Sequence, residues 1–298
     1  MDPETLQKYV DAGSIASEAL HYGKSLIVKG AKVIEILDAV EKKIEELGGK
    51  PAFPAQISLN EYAAHSCSDL TDETILSDQI VKLDVGVHID GFIADNALTV
   101  DLSGKNEDLV KASREALNNA LKIIKPGITL GEIGREIHRT ITSYGFSPVK
   151  NLSGHGLGEY QIHTAPSVPN FDNGDDNVLE EGDVIAIEPF ASMGAGVVQE
   201  SSHPTVFTLI KDSGVRDPIS RKILQEIKKH ENLPFAKRWL EREFGTPKTN
   251  FALRMLNRAG CIVKHPPLFD QNRGMVSQAE HTVIVFEEPV ITTWFEEN

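Results

Sequence analysis

The sequence predicts a mixed α+β fold in two related halves. Apolar residues recur at helical spacing in long segments, β-rich runs alternate with them, and one pattern of turn, helix, histidine and strand occurs twice. From Ala31 to Leu47 the residues Val33, Ile36, Leu37, Val40, Ile44 and Leu47 form one stripe, and Gly48-Gly49 supplies the stop. A second helix is expected from Glu107 to Lys125, ended by Pro126-Gly127. A third is expected from Leu130 to Tyr144, carrying Ile133, Ile137 and Ile141 before Gly145. Ile80 to Ile89 alternates so that Val81, Leu83, Val85, Val87 and Ile89 share a face, while Val184 to Glu188 and Val283 to Phe286 are short strand candidates. The echo runs Lys29-Gly30 to His65 and Lys125-Pro126-Gly127 to His155. Each is followed by an apolar run ending in a carboxylate, Leu76 to Asp84 and Leu179 to Glu188. Residues 205 to 264 break this rhythm: helix formers dominate Arg221 to His230, Phe235 to Phe244 and Phe251 to Ala259. They read as a helical insertion between 1–204 and 265–298.

Composition sets outer bounds on function. A chain of 298 residues, 40% hydrophobic and 25% charged, can bury one large core or two smaller ones. Its formal net charge of −14 opposes a surface that tracks phosphates, so direct DNA or RNA recognition is not expected. No run approaches the roughly 18 consecutive apolar residues of a membrane helix. The start, Met1-Asp2-Pro3-Glu4, lacks the basic and apolar regions of a signal peptide, and a cytoplasmic location is the expectation. Cys67 and Cys261 are too few for a disulfide framework. Gly23-Lys24-Ser25 imitates the end of a phosphate loop, but Glu18 stands where its first glycine belongs. The acidic run Asp172 to Asp176 does not follow the order of a calcium loop.

Chemistry concentrates around Asp90-Gly91, a dipeptide suited to a two-residue type I′ hairpin. Counting back from that turn pairs Ile89 with Phe92 and Gly86 with Asp95. Asp84 shares a face with Gly86, so Asp95 lies diagonally beside Asp84. Two carboxylates this close need a neutralising cation, which a pair of divalent ions about 3.5 to 4 Å apart would provide, with Gly86 leaving them room. His155 in Ser153-Gly154-His155-Gly156, Glu188 in Ile187-Glu188-Pro189-Phe190 and Glu280 in Glu280-His281-Thr282 all interrupt apolar or tight-turn settings. One imidazole with four carboxylates is a hard, oxygen-rich set. It suits Mn, Fe or Co, or Zn in a dinuclear site, better than a thiolate-type structural zinc.

The string Leu83-Asp84-Val85-Gly86-Val87 with Asp95, then Asn151-Leu152-Ser153-Gly154-His155, then Ile187-Glu188-Pro189-Phe190, then Glu280-His281-Thr282 resembles the methionine aminopeptidases nearly end to end. Ala52-Phe53-Pro54 leading to Ala63-Ala64-His65, together with the insertion, resembles the short form of the type II branch. The resemblance implies the pita-bread fold, with a curved antiparallel sheet, helices outside and metals at its centre. It implies that Asp84 chelates one divalent ion, His155 and Glu188 the other, and that Asp95 and Glu280 bridge both around a hydroxide. Glu188 would shuttle protons, and His65 and His163 would hydrogen-bond the substrate amide and the developing oxyanion. Phe53, Ile162 and His203 would wall the methionine pocket. His265 stands where type II relatives commonly carry an aromatic wall residue.

The implied substrate is the N-terminal methionine of nascent polypeptides followed by a small residue. The ribosome is a candidate partner, a monomer the expected state, and neither nucleic acid nor membrane is expected to bind. Two readings stand beside this one. A proline-specific peptidase of the same fold usually carries an extra N-terminal domain, for which residues 1 to 30 leave no space. A non-catalytic interaction protein of the same architecture would lack metal ligands that this sequence retains.

Overall fold

The computed structural model describes residues 1–212 and 214–295. The expected hairpin is its central feature. Ile80–Ile89 and Phe92–Asp101 pair antiparallel over their whole length, with Ile89 opposite Phe92 and Gly86 opposite Asp95, the register counted from the turn. Lys50–Pro51 and Gln56–Leu59 extend the other edge of Ile80–Ile89 to complete a four-stranded sheet. Val81, Leu83, Val85 and Val87 turn to one face and pack under the helices Pro3–Leu26 and Val33–Glu46. Burying each such side chain contributes about 1.5–3 kcal/mol.

The second half repeats the plan. A five-stranded antiparallel sheet runs Val290–Ile291, His281–Ile284, Val184–Ile187, Ser153–Gly158, Gln161–Pro169. Ile185, Ile187 and Val283 from it pack against the helices Glu107–Leu121 and Leu130–Ser143. A capping box starts the latter helix: Thr129 accepts from the Glu132 backbone while the Glu132 carboxylate accepts from the Thr129 backbone. The echo in the sequence has a backbone counterpart. Gly30 N–H donates to Leu76 O at 2.7 Å and Leu76 N–H to Ala31 O at 2.8 Å, while Gly127 N–H donates to Leu179 O at 2.8 Å and Leu179 N–H to Ile128 O at 3.0 Å. Both glycines take the positive φ, 91° and 85°, that such a turn requires. The two sheets meet where Phe92–Asp101 runs beside the start of His281–Ile284, joined by an antiparallel bridge between Ala97 and Glu280.

Helix Pro3–Leu26 has no counterpart in the sequence-based reading. Asp2 caps it, accepting from Glu4 N–H at 3.1 Å and Thr5 N–H at 3.0 Å, and Pro3 opens it. Its buried positions are mostly small, Ala12, Gly13, Ala16, Ser17, Ala19 and Gly23, so no bulky stripe marks its inner face. The segment expected to be a helical insertion does contain three helices, Pro218–Ile227, Lys237–Phe244 and Thr246–Arg258. It also holds strands that the helical reading did not include: Phe235–Ala236, Val206–Leu209 and Ile262–His265 form a three-stranded sheet, with Val206 opposite His265. These strands are two to four residues long, too short for alternation to show, and their pairing closes a loop of more than fifty residues. Phe207, Ile223, Leu224, Phe235, Leu240 and Leu256 give the segment a core of its own. Among the described residues no helix is long and apolar enough to cross a membrane.

Candidate metal centre

On the face of the sheets opposite the helices, strand ends from both halves converge. Asp84 and Asp95 come from the first hairpin, His155 from Ser153–Gly158, Glu188 from the residue after Val184–Ile187, and Glu280 from the residue before His281–Ile284. His281 pairs with Ile187, which sets Glu280 beside Glu188, and His155 pairs with Ala186 one strand over. Asp95, His155 and Glu280 are 4%, 8% and 2% exposed, and each offers a ligand atom within 4.8 Å of the others. His155 Nε2 lies 3.9 Å from Asp95 Oδ2 and 3.6 Å from Glu188 Oε1. His155 Nδ1 faces the Gly156 carbonyl at 3.3 Å, which leaves Nε2 as the lone-pair nitrogen turned to the carboxylates.

These residues line a cavity of about 260 Å³ with Phe53, Gln56, His65, Ile162, His163 and His265. Larger cavities of about 570 and 560 Å³ lie elsewhere; the second also carries carboxylates and the His88 and His230 rings, but with Lys50 and Lys229 among them. No lysine or arginine is among the described residues lining the site, so no cationic side chain among them balances the four carboxylates there. Burial pushes Asp84 up to about 7. Asp95, Glu188 and Glu280 are also raised well above the usual carboxylate range, by burial first and then by one another's charge. Burial lowers His155 to about 3 and His65 to about 4, so both rings are neutral at pH 7.

The residues present fit divalent metal. Asp84 Oδ1, Asp95 Oδ1 and Glu280 Oε1 are buried with no hydrogen-bond partner, a costly state that a cation would relieve. The chain can thus hold metal with oxygen and one imidazole nitrogen.

Two expectations are corrected. A Cβ on Gly86 would sit 2.1 Å from the Phe53 ring, so this glycine makes room for Phe53 and not for ions. His203 lies outside the cavity; it is exposed, its Nδ1 is 2.8 Å from Ser202 Oγ, and it lines the neighbouring cavity beside Cys67 and Thr205. The strand Val206–Leu209 starts three residues after it. Phe53, Ile162, His65, His163 and His265 do line the cavity. His65 takes a left-handed φ of 63°, and the Pro266 carbonyl accepts a hydrogen bond from its ring. His265 Nε2 is 2.8 Å from Thr208 Oγ1, and its ring meets that of His65 edge-on. Residues that sequence reasoning missed are Gln56, placed directly opposite Asp84, and Gln278, whose Nε2 donates to Glu280 Oε2 at 3.1 Å. A period-two count back from Glu280 would have found Gln278; Gln56 lies across a strand pairing that no two-residue turn in the sequence fixes.

A two-halved antiparallel sheet with helices on one face and a buried carboxylate–imidazole cage on the other defines a class of metal-dependent hydrolase. Residues 7–216 match metallopeptidase family M24, and the chain belongs to that family. It is 46% identical over 287 residues to the methionine aminopeptidase of Thermococcus onnurineus, a match covering 95% of this chain and 97% of that one. Among solved structures, a thermophilic Arx1 superposes with a TM-score of 0.86 at 20% identity, covering 98% of this chain and 91% of that one. The methionine aminopeptidase of Thermotoga maritima superposes with a TM-score of 0.72 at 24% identity, covering 99% and 98%. The fold is the pita-bread fold that the sequence resemblance implied.

Proposed function

We propose that this chain removes the N-terminal methionine from nascent polypeptides in the cytoplasm, acting as a monomer on methionine followed by a small residue. The observation that carries the reading is the convergence of four carboxylates, Asp95 and Glu280 buried and Asp84 and Glu188 half-buried, with one neutral imidazole, three of the carboxylates having an orphaned oxygen, in a chain of the M24 family. Asp84 would hold one divalent ion, His155 and Glu188 a second, and Asp95 and Glu280 both. Bound there, Co, Mn, Fe or Zn would supply an activated water near neutral pH and polarise the scissile carbonyl.

The chain's own groups account for the rest. Glu188 is partly exposed to the cavity, and its carboxylate oxygen takes the proton of the attacking water and passes it to the leaving nitrogen. His65, neutral and donating one ring N–H to Pro266, presents its other nitrogen as an acceptor for the substrate amide. His163 is also held neutral by its surroundings, so a single ring N–H is available to the developing oxyanion. Phe53 and Ile162 give the methionine side chain an apolar wall, and His265 closes the side toward the insertion. Residues 205–264 would form a subdomain set on a catalytic domain of 1–204 and 265–298.

Turnover of Met-Gly-Met by the Mn-reconstituted protein tests this reading. Glu188→Ala and Asp84→Asn should abolish it with little change in melting temperature, because both residues serve an open site more than the core. Full activity in either variant contradicts the assignment, and cleavage confined to bonds before proline would favour a proline peptidase instead.

A further inference from the structure

At the seam where Phe92–Asp101 of one half meets the start of His281–Ile284 of the other, threonine hydroxyls flank a single backbone bridge. In that bridge Ala97 and Glu280 exchange backbone hydrogen bonds, Glu280 N–H to Ala97 O at 3.0 Å and Ala97 N–H to Glu280 O at 3.4 Å. On either side, backbone no longer meets backbone. Two residues beyond Glu280, Thr282 Oγ1 accepts from Asp95 N–H at 2.7 Å and donates to Asp95 O at 2.9 Å. Two residues beyond Ala97, Thr99 Oγ1 accepts from Gln278 N–H at 2.9 Å and donates to Gln278 O at 2.6 Å. Each half thus sends one hydroxyl across to clasp the backbone of the other, in a two-fold arrangement about the Ala97–Glu280 bridge.

The cause lies in the C-terminal strap. Thr292 N–H donates to Thr282 O at 3.0 Å and Thr282 N–H to Thr293 Oγ1 at 3.1 Å, so the strap occupies the backbone edge of Thr282 that would otherwise pair with Asp95. Asp95 is buried, and its backbone N–H and C=O would have no partner across the seam without the Thr282 hydroxyl, itself fully buried. A hydroxyl holds the two backbones farther apart than a direct ladder would. Asp95 and Glu280, the carboxylates facing each other across this gap, take their separation from it.

From this geometry we infer that Thr282 and Thr99 are positioning residues, a clasp that sets the spacing between Asp95 and Glu280 and so the capacity of the site for a second ion. This rests on reading the site as a paired-ion centre. Gln278, gripped by Thr99, carries the same control to Glu280 through its 3.1 Å bond to Oε2. The clasp touches no substrate and acts through the carboxylates alone.

The test is titration of the metal-free full chain with Mn(II), following stoichiometry by calorimetry and the exchange-coupled pair by electron paramagnetic resonance. Thr282→Val keeps the shape of the side chain and loses the hydroxyl. It should bind the first equivalent nearly as the parent does and the second about 10–100-fold more weakly, with the coupled signal lost and kcat reduced more than KM is raised. Thr282→Ser, which restores the hydroxyl, should return the second ion and the coupled signal. Thr99→Val, at a half-buried position that tolerates change better, should shift the second equivalent in the same direction by less. Undiminished affinity for both ions in a folded Thr282→Val or Thr99→Val protein overturns the proposal, as does a Thr282→Ser variant that behaves like Thr282→Val. A parent protein that binds no Mn(II) would overturn the reading of the site and the clasp with it.

Discussion

Asp84 shows what a metal ion has to offset. Its carboxyl is raised from 3.8 to about 7 by burial, and Asp95, Glu188 and Glu280 are raised too. A carboxyl whose folded value exceeds its unfolded one favours the folded state while protonated. For Asp84 that contribution is complete below about pH 3.8 and is lost as pH rises through about 7. His65 runs the other way: lowered from 6.5 to about 4, it contributes stability above 6.5 that is lost as pH falls. His65, His155 and His163, lowered to about 4, 3 and 4, stay neutral in the folded site from about pH 5 to about pH 8, so the carboxylates set the pH dependence of metal uptake there. The gap in melting temperature between Mn-loaded and metal-free protein should therefore widen from about pH 5 to about pH 8; calorimetric scans showing it narrow would contradict the assignment. His65→Ala and His163→Ala should each lower kcat roughly a hundredfold while leaving metal content unchanged, and loss of metal in either would place that ring among the ligands. Asp84 and Asp95 were legible because strand periodicity is arithmetic, one turn fixing which side chains share a face, whereas Glu188 and Glu280 were read from the apolar or tight-turn settings they interrupt and from the family resemblance. The role of Gly86 was not, since an empty position does not announce whether an ion or the Phe53 ring will fill it.

Elements with a long, bulky stripe could be read directly. Val33–Glu46, Glu107–Leu121 and Leu130–Ser143 fall within a few residues of where their apolar spacing puts them. Pro3–Leu26 escaped because small residues let it pack closely on its neighbours, and the strands of the insertion escaped because their partners are distant in sequence. How the segment 205–264 attaches was equally hidden. Arg238 is fully buried; its guanidinium bonds Glu41 on helix Val33–Glu46, approaches Asp38 at 3.5 Å, and reaches Cys67 Sγ at 2.5 Å. Trp239 Nε1 adds a 2.9 Å bond to the other oxygen of Glu41. Removing one partner of a buried pair leaves the other charge uncompensated, so Arg238→Met should cost about 3–5 kcal/mol. Urea unfolding would show it, and a loss below about 1 kcal/mol would mean that the apolar contacts of the insertion suffice.

At the centre of the molecule two helix-backed sheets meet at the Ala97–Glu280 bridge, and the site lies where they meet. Neither half holds the full set of proposed ligands: Asp84 and Asp95 belong to one, His155, Glu188 and Glu280 to the other. The repeat was visible as a faint echo, and the paired turns at Gly30 and Gly127 give it a backbone basis. The strap and its hydroxyl clasps were invisible to periodicity, because single threonines bridging backbones leave no pattern. If the halves together form one metal cage, a crystal of the Mn-loaded protein examined by anomalous scattering should show two peaks about 3.5 to 4 Å apart, enclosed by Asp84, Asp95, His155, Glu188 and Glu280. Metal bound elsewhere, or these side chains left without an ion at saturating Mn(II), would contradict the account.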